Sequence, residues 1–376
     1  MVALTRRQHF TPIGLNIRDW ALEAVQCSVR EGRIRLYAAV AWPLDFGGTP
    51  EGKASAVLAS LKALLKEGVF AGRKTVSCLS GSAVDIRLLR LAGGVTPEQD
   101  EEFREALALE ARSCLPYSPE EAQLDYLPFG TEIEDGEEKF SLLLVAARRD
   151  NVNRHLALLK EAGLDCVYIE AAPCALARAF CNEEATSAFV DMDSESTIVS
   201  VAKRGSLLFS RTIPFGVQRI VEDLAGNLKL PLSEARRILR FHGLGQDGPG
   251  SVDPRMPAQT GRMDERAFPA MLLSACGRSL MQVAREVKRS LEYCVRQRRG
   301  QTIEKVVLTG ASIPAGVENY LNQHLGMPVA VGDALSRLAE DLDAGKGERM
   351  DRALYLDPAV RSSFATAMGL ALRDEI

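Results

Sequence analysis

The sequence predicts an α/β protein of two lobes, made by duplicating one unit. Three observations point to it. The stretch Ala188 to Gly216 reads as strand, acidic turn, strand, glycine turn, strand. Phe189 and Val190 lead into a turn that holds Asp191, Asp193 and Glu195. Ile198, Val199 and Val201 form the next strand, Arg204-Gly205 reverses the chain, and Leu207 to Phe209 start a third. Apolar and β-branched runs bounded by Asp, Ser and Gly are strand and hairpin signals. The same grammar occurs near the N-terminus, about 175 residues earlier. Ile13-Gly14-Leu15 enters a polar turn at Asn16, Arg18 and Asp19. A strand follows through Leu22 and Val25, Glu31-Gly32 reverses the chain, and Ile34, Leu36 and Tyr37 begin a third strand. Finally, 376 residues are enough for two lobes and a substantial core. No shorter repeat period is present.

Bulk composition narrows the function classes. Hydrophobic residues make up 46% and charged residues 26% of the chain, as in an ordinary soluble protein. The net charge of -4 gives no electrostatic case for nucleic acid. No apolar run approaches the ~20 residues needed to span a bilayer, so no membrane insertion is expected. The start, MVALTRRQHF, lacks an apolar core, and no signal peptide is expected. The eight cysteines are scattered without a CxxC pair, which suits small buried residues in a reducing cytosol and no metal site.

Taken in order, Ala54 to Lys66 predicts a helix with Val57, Leu58, Leu61, Leu64 and Leu65 on one side. Thr75 to Leu79 is a short strand, and Val84 to Leu91 continues after a Ser-Gly-Ser break. Thr96 and Gln99 form a capping box with Pro97 at the first helical position. On that helix Phe103, Ala106, Leu107, Glu110 and Cys114 share one predicted face. Strands at Gln123 to Leu127 and Phe140 to Ala146 flank an acidic loop, Glu132 to Lys139. A helix at Asn151 to Ala162 and a strand at Cys166 to Ile169 complete an inserted α+β module. A short helix at Pro173 to Phe180 leads into the second unit. Helices follow at Gly216 to Ala225 and Ser233 to Phe241, then a Gly- and Pro-rich flexible loop. Ser274 to Arg299 is the longest helix, stopped by Gly300. Val306 to Leu308 is a buried strand that turns through Thr309-Gly310-Ala311-Ser312 into a helix at Ala315 to His324. Pro328 to Val331 is a last strand and Ala334 to Ala339 a helix.

Common catalytic signatures are absent: there is no GxxxxGK[ST], HExxH or GxSxG. His9, His155, His242 and His324 are isolated and read as surface or capping residues. No catalytic residue is assigned. The two acidic turns are the candidate site, because a strand-turn-strand with Asp and small residues can offer backbone N–H groups and a carboxylate to a phosphate and its metal. They are also readable as two ordinary polar hairpins. The Gly310 turn at a helix start suits phosphate or ribose contact.

These segments carry a resemblance. IGLNIRDWALEAVQ, LALEARSCLPYSPEEAQLDY, AFVDMDSESTIVSVAKRG, EVKRSLEYCVRQ, VVLTGASIPAGVENYL and AMGLALR resemble the actin-like ATPase superfamily. Within it they resemble the PilM family of type IV pilus assembly, itself similar to the cell-division protein FtsA. The likeness implies an actin-like, ribonuclease H-like fold. In that frame residues 1–83 and 171–187 belong to the first lobe and 84–170 to an inserted α+β subdomain. Residues 188–215 and 301–349 belong to the second lobe, 216–300 to its helical subdomain with a loop at 243–266, and 350–376 to a return to the first lobe.

The resemblance implies ATP or ADP with Mg²⁺ as cofactor. It places Asn16, Arg18, Asp19, Asp191, Asp193, Glu195, Thr197, Lys288, Arg289, Gly310, Ala311 and Ser312 at the nucleotide. Several of these depart from the family pattern. The first phosphate loop, usually D/E-I-G-x-S-x-x-K, here has Asn16, Arg18, Trp20 and Glu23 at its places. The second keeps Asp191, Glu195 and Thr197 but has Asp193 for glycine. Asn16 offers no carboxylate to a hydrated Mg²⁺, a Cβ at a glycine place obstructs close approach, and added acids repel polyphosphate. Weakened or lost nucleotide binding is therefore expected.

The function implied is a cytoplasmic scaffold of type IV pilus assembly, or of a related secretion or competence system, recruited to the inner membrane. It would bind the N-terminal cytoplasmic peptide of a PilN-like protein and couple it to the pilus ring and motor components. Leu88, Leu107, Glu110, Leu115, Pro116 and Tyr117 are the expected lining of the peptide groove. Two alternatives stand beside it: an active actin-like ATPase or small-molecule kinase, and a soluble relative of type II secretion proteins.

Overall fold

The structure is a computed structural model describing residues 9–44, 50–92, 97, 100–134, 136–180, 184–244, 268–297, 302–310, 313–339 and 358–375. The chain opens with β1 (His9–Phe10), β2 (Ile13–Ile17), β3 (Ala21–Arg30) and β4 (Arg33–Pro43), then helix α1 (Pro50–Lys66) and β5 (Lys74–Leu79). It leaves for the module through β6 (Asp85–Ala92), α2 (Asp100–Cys114), β7 (Ala122–Glu134) and β8 (Glu137–Arg148). It returns through α3 (Arg149–Glu161), β9 (Asp165–Ala171) and α4 (Ala172–Ala179). The second lobe holds β10 (Ser187–Met192), β11 (Thr197–Lys203), β12 (Ser206–Ile213), α5 (Val217–Leu228), α6 (Leu232–His242), α7 (Phe268–Gln297), β13 (Lys305–Thr309), α8 (Val317–Leu325) and β14 (Val329–Val331).

The predicted duplication is present in the sheet order. In the first lobe β4, β3 and β2 form an antiparallel meander, and β5 and β9 extend it in parallel. In the second lobe β12, β11 and β10 form the same meander, extended by β13 and β14. Both meanders reverse at two-residue turns whose residues all have positive φ: Glu31 at 54° with Gly32 at 78°, and Arg204 at 49° with Gly205 at 77°. That backbone matches the twist of paired strands, and glycine at the second place relieves half of its strain.

The two lobes share an apolar hub. Helix α4 and the C-terminal helix Ala365–Ala371 lie between the sheets, packing Leu176, Ala177, Phe180, Phe364, Ala367 and Met368 against residues of both, among them Val25, Phe189 and Val307. The C-terminal helix passes so close to β2 that a Cβ on Gly14 would overlap the Ala367 carbonyl oxygen. Helices α5 to α8 pack with β10, β11 and β13 in one apolar cluster.

Several expectations change in detail. α3 packs Leu159 beside Val57, Leu61 and Leu64 of α1, and β9 is a strand of the first-lobe sheet. The chain thus returns to the first lobe at α3, earlier than residue 171. The acidic loop expected at Glu132 to Lys139 is instead the paired end of a hairpin, in which Glu132 faces Lys139 across the strands. Opposite charges facing one another stabilise such a pair. In the module, α2 covers the sheet with Phe103, Leu107, Ala111 and Leu115. Glu110 is exposed, because a helix advances about 100° per residue and the buried stripe takes Ala111 instead. Thr96 and Gln99, and most of the 243–266 loop, fall outside the described residues.

Candidate functional site

Two turns face each other across the gap between the lobes, one joining β2 to β3 and one joining β10 to β11. Asn16 and Glu23 are direct cross-strand partners, so their side chains share a face, and Arg18 stands in the turn between them. Arg18 is 3% exposed and Glu23 is fully buried. The Arg18 Nε donates to Glu23 Oε2 at 2.7 Å, and the Asn16 amide donates to the same oxygen at 3.0 Å. The rest of the guanidinium reaches the second lobe. It donates to both Asp191 oxygens at 3.2 and 3.1 Å, lies 3.7 Å from Asp193 Oδ2, and touches the Ser363 carbonyl at 3.5 Å.

Three carboxylates therefore surround one buried guanidinium, two of them buried with it and Asp193 partly exposed. Burial is the main cause that pushes the Glu23 carboxyl up to about 7, while Arg18 pulls it down. Burial also raises Asp193, again against Arg18. One Glu23 oxygen, Oε1, is buried without a hydrogen-bond partner. Asp191 accepts a further bond from Thr309 Oγ1 at 3.0 Å, which ties β13 to the same centre.

The neighbouring side chains of the first turn cross as well. The Trp20 indole N–H donates to Ser194 Oγ at 2.7 Å, and the Arg236 guanidinium lies 4.9 Å from the Trp20 ring centroid. Asp19 accepts from the backbone N–H of Glu195 at 3.3 Å and pairs with Lys53 at 2.9 Å. Two further amides of the second turn are also engaged. Asp193 N–H donates to the Ser196 carbonyl at 2.9 Å, and Ser194 N–H to the Asp193 carboxylate at 2.8 Å. Thr197 is buried and spends its hydroxyl on the Phe215 carbonyl at 2.7 Å. Gly310, at φ 132°, is packed under this turn so tightly that a Cβ would overlap the Met192 carbonyl.

The structure thus brings Asn16, Arg18, Asp19, Asp191, Asp193 and Glu195 together, with Gly310 beside them. It does not bring Lys288 and Arg289. Lys288 lines a cavity with Thr302, Ile303, Leu325 and Met327, before the start of β13, whereas Gly310 follows its end. Arg289 is exposed and pairs with Glu286 at 3.0 Å. Ala311 and Ser312 lie outside the described residues. The reach of Trp20 to Ser194 was missed from sequence, where nothing marks two residues of separate lobes as partners. His155, read as a surface or capping residue, is part-buried against Ser77 Oγ at 2.9 Å, and burial lowers it to about 4.

A second candidate lies between the module and the first lobe. A cavity of about 510 Å³ is walled by Leu124, Leu127 and Val145 of the module and by Ile169 and Ala171 of β9. Its floor holds Glu170 between Arg178, at 3.0 Å, and Arg373, which also stacks over Tyr168 at 4.2 Å. β7 and β9 are terminal strands of their sheets, and both contribute to this wall. The residues expected to line a peptide groove sit elsewhere. Leu107 and Leu115 are module core, Pro116 and Glu110 are exposed, and Leu88 packs into the interlobe hub. Tyr117 lies under the Arg148 guanidinium at 4.4 Å. Apolar residues of α2 face the sheet because that is where their area is removed from water.

Residues 14–252 match the family model described as type IV pilus assembly protein PilM. Residues 188–369 match the model for cell division protein FtsA. Among solved structures, a PilM–PilN type IV pilus biogenesis complex is similar at TM-score 0.73 and 23% identity, covering 96% of this chain and 98% of that chain. The ethanolamine utilization protein EutJ from Carboxydothermus hydrogenoformans is similar at TM-score 0.53 and 14% identity, covering 98% and 91%. These likenesses establish the actin-like α/β fold. Among the described residues no helix is long and apolar enough to cross a membrane.

Proposed function

The chain belongs to the type IV pilus assembly protein PilM family, and from that premise we propose that it is a cytoplasmic adaptor which holds a peptide of a PilN-like inner-membrane protein. The similar solved structure is a complex of a PilM with a PilN. The observation that carries the reading here is the cavity between module and first lobe, about 510 Å³ in volume and flanked by two terminal strands. That volume falls in the range of ordinary ligand pockets. An extended peptide laid along β7 or β9 gains main-chain hydrogen bonds, with alternate side chains entering the apolar walls. The Arg178–Glu170–Arg373 floor offers fixed polar groups that set its register. Through the peptide the protein would be held at the inner membrane and would couple it to the pilus ring and motor components.

The interlobe cleft supports an adaptor better than an ATPase or kinase. Mg²⁺ binding to polyphosphate calls for an accessible carboxylate and free backbone donors. Here the carboxylates are turned onto Arg18, and three N–H groups of the second turn have internal partners. The residues present do not fit a magnesium nucleotide.

The test is a titration of the pure protein with the N-terminal cytoplasmic peptide of its PilN-like partner. Val145→Glu and Ile169→Glu, which put charge on the cavity walls, should weaken binding about tenfold or more. Leu109→Glu on the outer face of α2 should not. If folded wall variants bind normally and Asp193→Asn does not, the peptide site is in the cleft and this reading fails.

A further inference from the structure

The cleft carries an inference of its own, which goes beyond the adaptor reading and does not rest on it. We infer that Arg18, Asp19 and Trp20 form a staple that holds the two lobes closed, the guanidinium standing where a metal–polyphosphate would otherwise bridge the turns. Three consecutive side chains of one turn all cross to the other. Arg18 reaches Asp191 and Asp193, Asp19 reaches the Glu195 amide, and Trp20 reaches Ser194.

Charge gives the staple its strength. Glu23, Asp191 and Asp193 would repel one another across the gap without a cation between them. The guanidinium supplies that cation from within the chain, and its planar fork meets two carboxylates at once. Withdrawing it would leave buried acids uncompensated, which costs far more than an exposed pair. Geometry excludes the competitor. A polyphosphate entering this space meets acids first, and the backbone donors that would receive it are those of Asp193, Ser194 and Glu195, each already bonded within the protein.

The closed state is therefore a property of the chain alone, independent of nucleotide. The protein has two tryptophans, Trp20 and Trp42, so Trp42→Phe leaves Trp20 as a lone reporter in the cleft. The experiment measures amide exchange over 13–30 and 187–203 and acrylamide quenching of Trp20, in the full chain, with and without millimolar Mg²⁺–ATP. Mg²⁺–ATP should leave both readouts unchanged. Arg18→Gln should raise exchange in both turns together, about a hundredfold or more, as expected for one broken buried ion pair, and should raise the quenching of Trp20, which is 37% exposed while its indole N–H is held by Ser194. Should that variant not fold, Asp19→Asn keeps the size of the side chain, weakens the bond to Glu195, and should raise Trp20 quenching. Protection of both turns by Mg²⁺–ATP in the native sequence would overturn the inference. So would Arg18→Gln leaving the second turn and Trp20 as they were.

Discussion

Replacing Glu23 by Gln should remove a pH dependence of stability that runs opposite to that of most carboxylates. The Glu23 carboxyl sits at about 7 in the folded protein, against an ordinary 4.5, chiefly because it is buried. In the window between those values the folded chain binds more protons than the unfolded chain, so stability falls as pH rises through it. The contribution of Glu23 is fully present below the ordinary value and is lost by the time pH has risen past 7. At 1.36 kcal/mol per unit, the shift corresponds to about 3 kcal/mol. Gln keeps an oxygen for the Asn16 amide and Arg18 Nε but carries no titrating proton. Asp193 is also raised by burial and shares Arg18 with Glu23, so the measured difference includes the coupling between the two acids. The assay is urea unfolding of the native chain and Glu23→Gln at pH 5, 6, 7 and 8 at constant ionic strength. The difference should move in favour of Glu23→Gln by about 2.5 kcal/mol from pH 5 to 8, the remainder of the shift lying below pH 5. A flat difference, or one moving the other way, would mean that the attraction of Arg18 outweighs burial and would refute the reasoning.

Two further outcomes follow from packing. Gly14→Ala should destabilise by about 3 kcal/mol or more, since the added methyl meets backbone of the C-terminal helix that cannot rotate away; equilibrium unfolding checks it, and a loss below 1 kcal/mol would show that the helix can shift. Leu107→Ala should cost about 2–5 kcal/mol and Leu109→Ala within about 0.5 kcal/mol, because the first is buried in the module core and the second is 68% exposed; the same unfolding measurement ranks them, and equal costs would contradict the placement of α2.

Much of the fold is legible because its punctuation is local. Glu31-Gly32 and Arg204-Gly205 each form a complete turn signal within two residues, and both adopt positive φ at both positions. The strands beside them alternate in ways that a short window can read. Elements failed where the deciding partner is far away in sequence. Glu110 and Ala111 differ by one place on a helix, and only the sheet beneath decides which is buried. The positions of Lys288 and Arg289 depend on which end of β13 the long helix approaches, a matter of tertiary direction. Arg18 and Asp191 lie 173 residues apart, and the pattern that flagged both as phosphate-loop residues could not reveal that they bind each other. The sequence marked the residues of the cleft through chemistry and missed their partners through distance.

The staple and the cavity are mechanically compatible. The module that walls the cavity also touches the second lobe, where Arg90 donates to the carbonyl of Gln297 at the end of α7 at 3.1 Å. β6 lies beside β12, and α4 lines the cavity while packing in the interlobe hub. Opening of the lobes would therefore shift β7 and β9 relative to each other and change the width of the groove. A cleft fixed by its own arginine keeps that width set before any peptide arrives. Preorganisation of this kind adds affinity by lowering the ordering cost of binding. On this view Arg18 serves the partner site without touching it: Arg18→Gln should weaken peptide binding while Val145→Glu leaves the exchange of the two turns unchanged. Peptide affinity unaffected by opening the cleft would separate the two sites and leave the staple a purely structural device.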